Sequence, residues 1–444
     1  MKMNLILIVI DCLRPDFLGC YGNKGIYTPT IDRLANQGAL FEQAITSAPW
    51  TMPSLSSIAS GISAHKLRMF EWRQAFPSDI KTIFHYLREN NYEVASFVSN
   101  EKTVFANNDF CNVLGKSREI PDVLGWIENH SQDNFFLFLH YWGVHAPYFF
   151  KYSAEAWYEG VDEILKIVRK SDTFSPRIGG QRGGVKLARR LYANAVERMS
   201  EEFVSAIVDK LTHLRILDDT LIIITADHGD SWGERIKDKT KIDLFSLHGA
   251  FLYDEILKVP LIFSCPAVIP TGRRIKHQVR SIDIFPTILD ALNIPLSHEN
   301  FRSIDGISLK PMIYDKWNGK PLKAISSTSE YSLTESDRSF SSRLSIYNED
   351  YIASSKDEIR SVSKISLRTP EWKLIWNIHD DDNMELYNLQ NDPKETQNQI
   401  GNYPELEKQL ISELEEELKF VVSGEEAEEE RKSIKTILRG LGYL

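Results

Sequence analysis

The sequence is short of cysteine. Four occur in 444 residues (Cys12, Cys20, Cys111 and Cys265), and their spacing fits neither a disulfide framework nor a metal knuckle. A reducing, cytoplasmic setting is the expectation. Positive charge is also in deficit: 52 Lys and Arg stand against 62 Asp and Glu, a formal charge of −10. That balance argues against a general nucleic-acid or anionic-membrane binder, and it leaves small anionic substrates open because a local field can oppose the global one. No run approaches the roughly 20 apolar residues of a membrane span. The opening "MKMNLILIVIDCLRPD" looks briefly like a secretory leader, but its apolar stretch meets Asp11 and Arg14 at once and reads as a buried strand.

What is present alternates. "NLILIVID" (4–11), "YEVASFVSN" (92–100), "NFFLFLHYW" (134–142), "TLIIITADHG" (220–229) and "VPLIFSCP" (259–266) are nearly unbroken apolar runs, the kind buried on both faces of a parallel sheet. Helical patterns such as "TPTIDRLANQG", "SDIKTIFHYLRENNY", "PDVLGWIENH" and "SIDIFPTILDALNI" separate them. This alternation predicts an α/β layered fold, in which ligands bind beyond the carboxyl ends of the strands. Past about residue 316, segments such as "KAISSTSEY", "SRLSIYNEDYIASS", "EWKLIW" and "MELYNL" predict an antiparallel sheet. The last stretch is helical and acidic with an apolar stripe, suited to packing on the main domain or on a second subunit. The expected division is 1–315, 316–400 and 401–444.

Three polar clusters fall at strand ends or beside them. Asp11 closes the first run, and Asp227 with His228 closes "LIIITADHG". Thr51 precedes Pro53 in "SAPWTMPSLSSIASG" (47–61), where a helix should open just after it. A helix mouth offers free N–H groups and a partial positive charge, which suits an anionic group under attack. Taken singly, an Asp at a strand end is often a turn residue, and Thr51 could be only a helix cap. Together they read as metal-type ligands beside a nucleophilic hydroxyl.

At this point the residues carry a family resemblance. "NLILIVIDCLRPDFLGCYGNKGIYTPTIDRLANQGALFEQAITSAPWTMPSLSSIASG" resembles the N-terminal signature of the sulfatase family within the alkaline phosphatase superfamily. "TADHGDSWGE", "LHGAFLYDEILKVPLIF", "MELYNLQNDPKETQN" and "ILRGLGYL" resemble later landmarks in the right order. The resemblance implies an alkaline-phosphatase-like α/β core, a mainly parallel sheet flanked by helices, with a smaller C-terminal α+β domain. It implies Asp11, Asp227 and His228 as metal ligands and Thr51 as a nucleophile that also touches the metal. His145, in "HYWGVHAPY", resembles the residue that meets the substrate oxyanion or leaving group, and His248 sits near the usual place of a basic residue by the scissile group. His140 is a further candidate behind the ligands. Arg14, Arg177 and Arg182 are candidate substrate contacts, the last two from the basic, Gly-rich stretch 166–190.

The departures from the pattern are chemical. Formylglycine-dependent sulfatases carry Cys or Ser followed by x-Pro-x-Arg, whereas this chain reads Thr51, Met52, Pro53, Ser54, Leu55. Threonine is not a substrate for that oxidation. Asp11 is followed by Cys12 rather than a second acid, and His228 stands where calcium-type members often carry Asn. Fewer hard oxygens and an added imidazole favour manganese or zinc over calcium or magnesium. One cation is favoured over two, although Asp243, His145 and His248 could converge, and Cys12 reads as a packed small residue. Thr nucleophiles in this superfamily belong to phosphodiesterases, phosphonate hydrolases and phospho-group transferases. The expected function is therefore a metal-dependent phosphoester hydrolase (phosphodiester, phosphonate ester or monoester) working through phospho-Thr51. The alternatives are a sulfatase acting without formylglycine and a non-catalytic anion-binding member. A small anionic ester is the expected partner, with no nucleic acid, and a homo-oligomer through the C-terminal helices is possible.

Overall fold

The computed structural model describes residues 3–70, 76–98, 112–117, 119–145, 148, 184–232, 234, 248–249, 251–296, 304–329, 363–378 and 384–418. Arg177, Arg182, Asp243 and the segment "SRLSIYNEDYIASS" lie outside them.

The apolar runs form one eight-stranded sheet. Its strands are β1 (Asn4–Ile10), β2 (Ala39–Ile45), β3 (Glu93–Phe97), β4 (Val113–Gly115), β5 (Phe135–Tyr141), β6 (Thr220–Thr225), β7 (Lys258–Ser264) and β8 (Arg273–Arg280), in the order β4-β3-β5-β1-β6-β7-β2-β8. β1 sits in the middle, parallel to β5 on one side and to β6 on the other. Only β7 runs against its neighbours, antiparallel to both β6 and β2. Every residue of β1, β5 and β6 is buried. That explains why these strands read as continuous apolar runs rather than alternating ones.

β2 and β8 were not apparent in the apolar pattern. They lie at the far edge of the sheet, and "ALFEQAI" and "RRIKHQVR" carry polar side chains on their less covered positions. Helices α1 (Pro29–Asn36), α2 (Thr51–Ser60), α3 (Ala64–Leu67), α4 (Ile83–Glu89), α5 (Ile120–Asn129), α6 (Gly184–Arg198) and α7 (Ser205–His213) follow. α6 and α7 are joined by a π-helical turn at Met199–Val204, so the stretch from Gly184 to His213 is one interrupted rod. Beyond β6 come α8 (Asp254–Leu257), α9 (Ile284–Ala291) and α10 (Lys310–Ile313).

A second sheet, β12-β11-β10-β9, is antiparallel throughout and built from β9 (Ala324–Thr328), β10 (Lys364–Arg368), β11 (Trp372–Asn377) and β12 (Met384–Asn388). Helix α11 (Pro404–Leu418) lays Leu410, Ile411, Leu414 and Leu418 against Ile365, Leu367, Leu374 and Trp376 of that sheet. The apolar stripe of the C-terminal stretch is thus used within the chain over these residues. Among the described residues no helix is long and apolar enough to cross a membrane.

The two sheets meet through a buried charge cluster. Arg368 Nη2 lies 2.8 Å from Asp254 Oδ2, and Lys373 Nζ lies 2.6 Å from both Asp254 Oδ1 and Glu395 Oε1. Burial opposes ionisation of Asp254, but Arg368 and Lys373 outweigh it and hold the carboxylate far below its usual range.

Candidate active site

The parallel strands end in a cluster of titratable groups. β1 delivers Asp11, whose N–H continues the pairing with β5 by donating to the Tyr141 carbonyl at 2.9 Å. β5 delivers His140, and the segment after β6 delivers Asp227 and His228. Asp11, His140, Asp227 and His228 are all buried. Asp227 Oδ1 accepts hydrogen bonds from the backbone N–H of Cys12 at 3.2 Å and of His228 at 2.8 Å, so it ties the two strand ends together. Asp11 Oδ1 and Asp227 Oδ2 receive no hydrogen bond among the described residues. His140 Nε2 stands 3.5 Å from Asp227 Oδ2 and 3.9 Å from Asp11 Oδ2.

Electrostatics separates the two acids. Burial, reinforced by the charge of Asp227, pushes Asp11 well above the usual carboxylate range. Burial also acts on Asp227, yet His228 and His140 prevail and hold it low. Two carboxylates forced apart in this way, with oxygens left unsatisfied in a dry site, form a donor set suited to a divalent cation. Asp11, His140 and Asp227 present donor atoms within 4.8 Å of one another, as do Asp11, Cys12 and His228.

His228 is oriented by its own backbone. Its Nδ1 lies 2.8 Å from the Gly229 carbonyl, which fixes the proton there and leaves the Nε2 lone pair free for a ligand. Nε2 lies 3.3 Å from Thr51 Oγ1 and 3.7 Å from both Asp11 Oδ1 and Asp227 Oδ2. Gly229 itself is required: its N–H donates to Ile256 O at 2.6 Å, and a Cβ would collide with the Glu255 carbonyl.

Thr51 is the first residue of α2, with Trp50 in the cap position and no side-chain cap bond. The helix therefore begins one step earlier than the sequence suggested, and the cap reading of Thr51 is corrected: its hydroxyl faces His228 instead. Trp50 is fixed by the second sheet. Its Nε1 donates to Thr328 Oγ1 at 3.1 Å, Thr328 Oγ1 donates to Gly249 O at 2.6 Å, and Gly249, at φ +92°, has the indole where a side chain would stand.

On the other edge of His228 the chemistry changes. Cys12 Sγ lies 3.8 Å from His228 Nδ1 and 3.7 Å from His248 Nδ1, and it groups with His145 and His248 within 4.8 Å. Cys12 is therefore more than a filler. It holds φ +62° while fully buried, clamped by Tyr192 of α6, whose hydroxyl donates to the Cys12 carbonyl at 2.7 Å. Burial and the charges of Asp11, Asp230 and Asp227 push its thiol well above the usual range.

Asp230, which the sequence reading did not single out although it closes "ADHGD", lies 3.5 Å from His248 Nδ1 and accepts from Tyr148 at 2.9 Å. Arg14 is committed elsewhere. Its guanidinium bonds both oxygens of Asp16 at 2.9 Å, Glu234 at 3.0 Å and the Asp230 carbonyl at 2.9 Å, and it stacks on Trp232. In this arrangement it braces the 230–234 turn rather than presenting a hydrogen-bonding face to a substrate.

The comparisons with known proteins agree with this architecture. The Sulfatase family model matches residues 3–294, and the model for the C-terminal part of N-sulphoglucosamine sulphohydrolase matches 320–422. An ulvan-active sulfatase of Formosa agariphila is 25% identical over 325 residues, covering 71% of this chain and 58% of that protein, so the match spans little more than half of that relative. A choline-sulfatase of Rhizobium meliloti is 24% identical, covering 70% of this chain and 72% of its own. Among solved structures, one in complex with its substrate D-glucosamine-2-N,6-O-disulfate superposes with a TM-score of 0.71 at 18% identity, covering 96% of this chain and 100% of that one. The phosphonate monoester hydrolase of Agrobacterium radiobacter superposes with a TM-score of 0.66 at 16% identity, covering 94% of this chain and 95% of that one. A mostly parallel sheet with a smaller antiparallel one, an acid-rich site at the strand ends, and a family model spanning most of the chain together make this protein a member of the Sulfatase family of hydrolases.

Proposed function

We propose that the chain is a metal-dependent hydrolase of phosphorus esters in which Thr51 is the attacking group. The observation that carries this reading is Thr51 Oγ1 at the opening of α2, 3.3 Å from His228 Nε2 and beside the unsatisfied oxygens of Asp11 and Asp227. Those orphaned oxygens fit a divalent cation, which Asp11, Asp227, His228 and Thr51 would hold. When bound, it supplies Lewis-acid stabilisation of the ester oxygens and acidifies the attacking hydroxyl. The N-terminus of α2 adds its N–H groups and partial positive charge to the same oxygens.

Thr51 gives up its hydroxyl proton to solvent, Oγ1 attacks phosphorus in line, the Oγ1–P bond forms as the ester P–O bond breaks, and phospho-Thr51 results. His145 and His248 are assigned to the departing oxygen. Water then cleaves phospho-Thr51 and restores the hydroxyl. His140 and Arg14 are positioning residues: His140 sets the charge on Asp227, and Arg14 braces the turn that carries Asp230.

Sulfur chemistry is the second reading, and the names of the relatives favour it. Against it stands the side chain at position 51. A sulfated threonine lacks the breakdown route that an aldehyde hydrate provides. The test is direct: metal-stripped protein is assayed on an aryl phosphate monoester, a phosphodiester, a phosphonate ester and a sulfate ester with Mn, Zn, Mg and Ca in turn. Faster turnover of a phosphorus ester, with a phosphoryl mass trapped on Thr51, supports the proposal. Sulfate cleavage faster than every phosphorus ester would sink it.

A further inference from the structure

We propose that Cys12, His145 and His248 form a second cation site, suited to zinc, beside the carboxylate site. It deepens the reading above and depends on that reading only for its role in the reaction. The three ligand atoms lie within 4.8 Å of one another. Tetrahedral zinc, with Zn–S of about 2.3 Å and Zn–N of about 2.0–2.1 Å, sets a sulfur-to-nitrogen edge of about 3.5 Å. Cys12 Sγ and His248 Nδ1 stand 3.7 Å apart, close to that edge before any cation has drawn them in.

The backbone supports the assignment independently. A buried residue other than Gly or Asn in the left-handed region is strained and persists only where its surroundings fix it. At Cys12 the peptide on each side is held, the N–H by Asp227 Oδ1 and the carbonyl by Tyr192. The turn that results places Sγ within 4.8 Å of a ring nitrogen of each of the two imidazoles. Glycine would satisfy the backbone without strain; cysteine adds a ligand.

The two sites are adjacent yet distinct. Asp11 and Cys12 are joined by one peptide bond, and the His228 ring stands between the groups. Its Nε2 edge faces Thr51, Asp11 and Asp227, while its Nδ1 edge faces Cys12 and is bonded to the Gly229 carbonyl. One sulfur and two imidazoles select zinc over magnesium or calcium, and three protein ligands leave a fourth position open, the pattern of a catalytic zinc site. Asp230, 3.5 Å from His248 Nδ1 and held by Ser231 N–H and Tyr148, supplies the compensating negative charge. Binding forms the Sγ–cation bond, and the thiol proton passes to solvent. His145 and His248 then serve the departing oxygen as ligands rather than as free acids.

The test needs no substrate. The reduced, metal-depleted full chain is titrated with Co(II) and then with Zn(II), following bound metal by elemental analysis and the sulfur-to-cobalt charge-transfer band in the near ultraviolet. Two equivalents are expected, one of them bringing the sulfur band. Cys12→Ser and His248→Gln should remove that band and one equivalent, whereas Asp227→Asn should remove the other equivalent and leave the band. A single equivalent at saturation, no sulfur band in the unmodified protein, or a band that survives Cys12→Ser would overturn the proposal. The first two readouts come from the native chain and do not depend on any variant folding. Two cations with a sulfur band but no Thr51-dependent turnover would overturn the function proposed above and leave this site standing. Phospho-Thr51 formed with one cation and no sulfur band would do the reverse.

Discussion

Two buried charge clusters can be set side by side. Between the sheets, Asp254, Arg368, Lys373 and Glu395 pair acid with base at 2.6–2.8 Å. At the strand ends, among the described residues, Asp11 and Asp227 share their surroundings with imidazoles but form no ion pair with Lys or Arg, and one oxygen of each acid receives no hydrogen bond. Both clusters are buried, so burial alone does not separate structure from function. The difference is satisfaction. A paired cluster joins two parts of a fold, whereas an unpaired one is a standing electrostatic demand that a ligand answers.

The largest expected effect breaks the second cluster at its attacking group. Thr51→Ala should lower turnover by about 10³-fold or more while leaving thermal stability unchanged, measured by initial rates beside a melting curve. Asp227→Asn should abolish high-affinity metal binding in a calorimetric titration. The neighbouring Asp11→Asn should leave the metal-free protein as stable as before or more so, because burial and the charge of Asp227 already oppose ionisation of Asp11. Lys373→Met should do the opposite. It should leave activity per folded molecule intact but destabilise the protein by about 3–5 kcal/mol in chemical denaturation, because Asp254 and Glu395 lose a shared cation. If Lys373→Met and Asp227→Asn gave the same pattern, the contrast between the clusters would fail.

A smaller effect comes from a third, more exposed set. Glu417 of α11 meets His65 Nε2 at 3.0 Å and Lys66 Nζ at 3.2 Å. The hydrogen bond from His65, opposed by burial and aided by Lys66, lowers the acid to about 2 from 4.5. The folded value is depressed, so this contribution is complete above about pH 4.5 and is lost as pH falls toward 2. Melting temperature measured between pH 6 and pH 3 should fall less in Glu417→Gln than in the native chain.

The legible part of the site was the part that sits at the ends of apolar runs. Asp11, Asp227 and His228 interrupt strands whose side chains are otherwise hydrophobic, and Thr51 stands before a Pro that announces a helix. The sheet order was less legible because β8 is an edge strand and β2 lies next to it, and both carry charged positions where apolar patterning fades. Cys12 was hidden for a different reason. A left-handed turn is normally advertised by Gly or Asn, and nothing local in "VIDCLRP" signals the tertiary clamp from Tyr192 that fixes it. Asp230 was not singled out, because the partners that define it, Tyr148 and His248, reach it from other segments of the chain. Arg368 and Lys373 were not singled out, because their partner Asp254 is 114 residues from Arg368 in sequence.

The bond from Trp50 to Thr328 ties the smaller sheet to the proposed active site. A hydroxyl on β9 holds the indole of the residue just before the helix bearing the proposed nucleophile, and the same hydroxyl grips the carbonyl next to His248. The C-terminal sheet is therefore not an exchangeable module. Grafting it from a relative, or diversifying it to gain new specificity, would shift the setting of the proposed attacking group unless position 328 kept a hydroxyl.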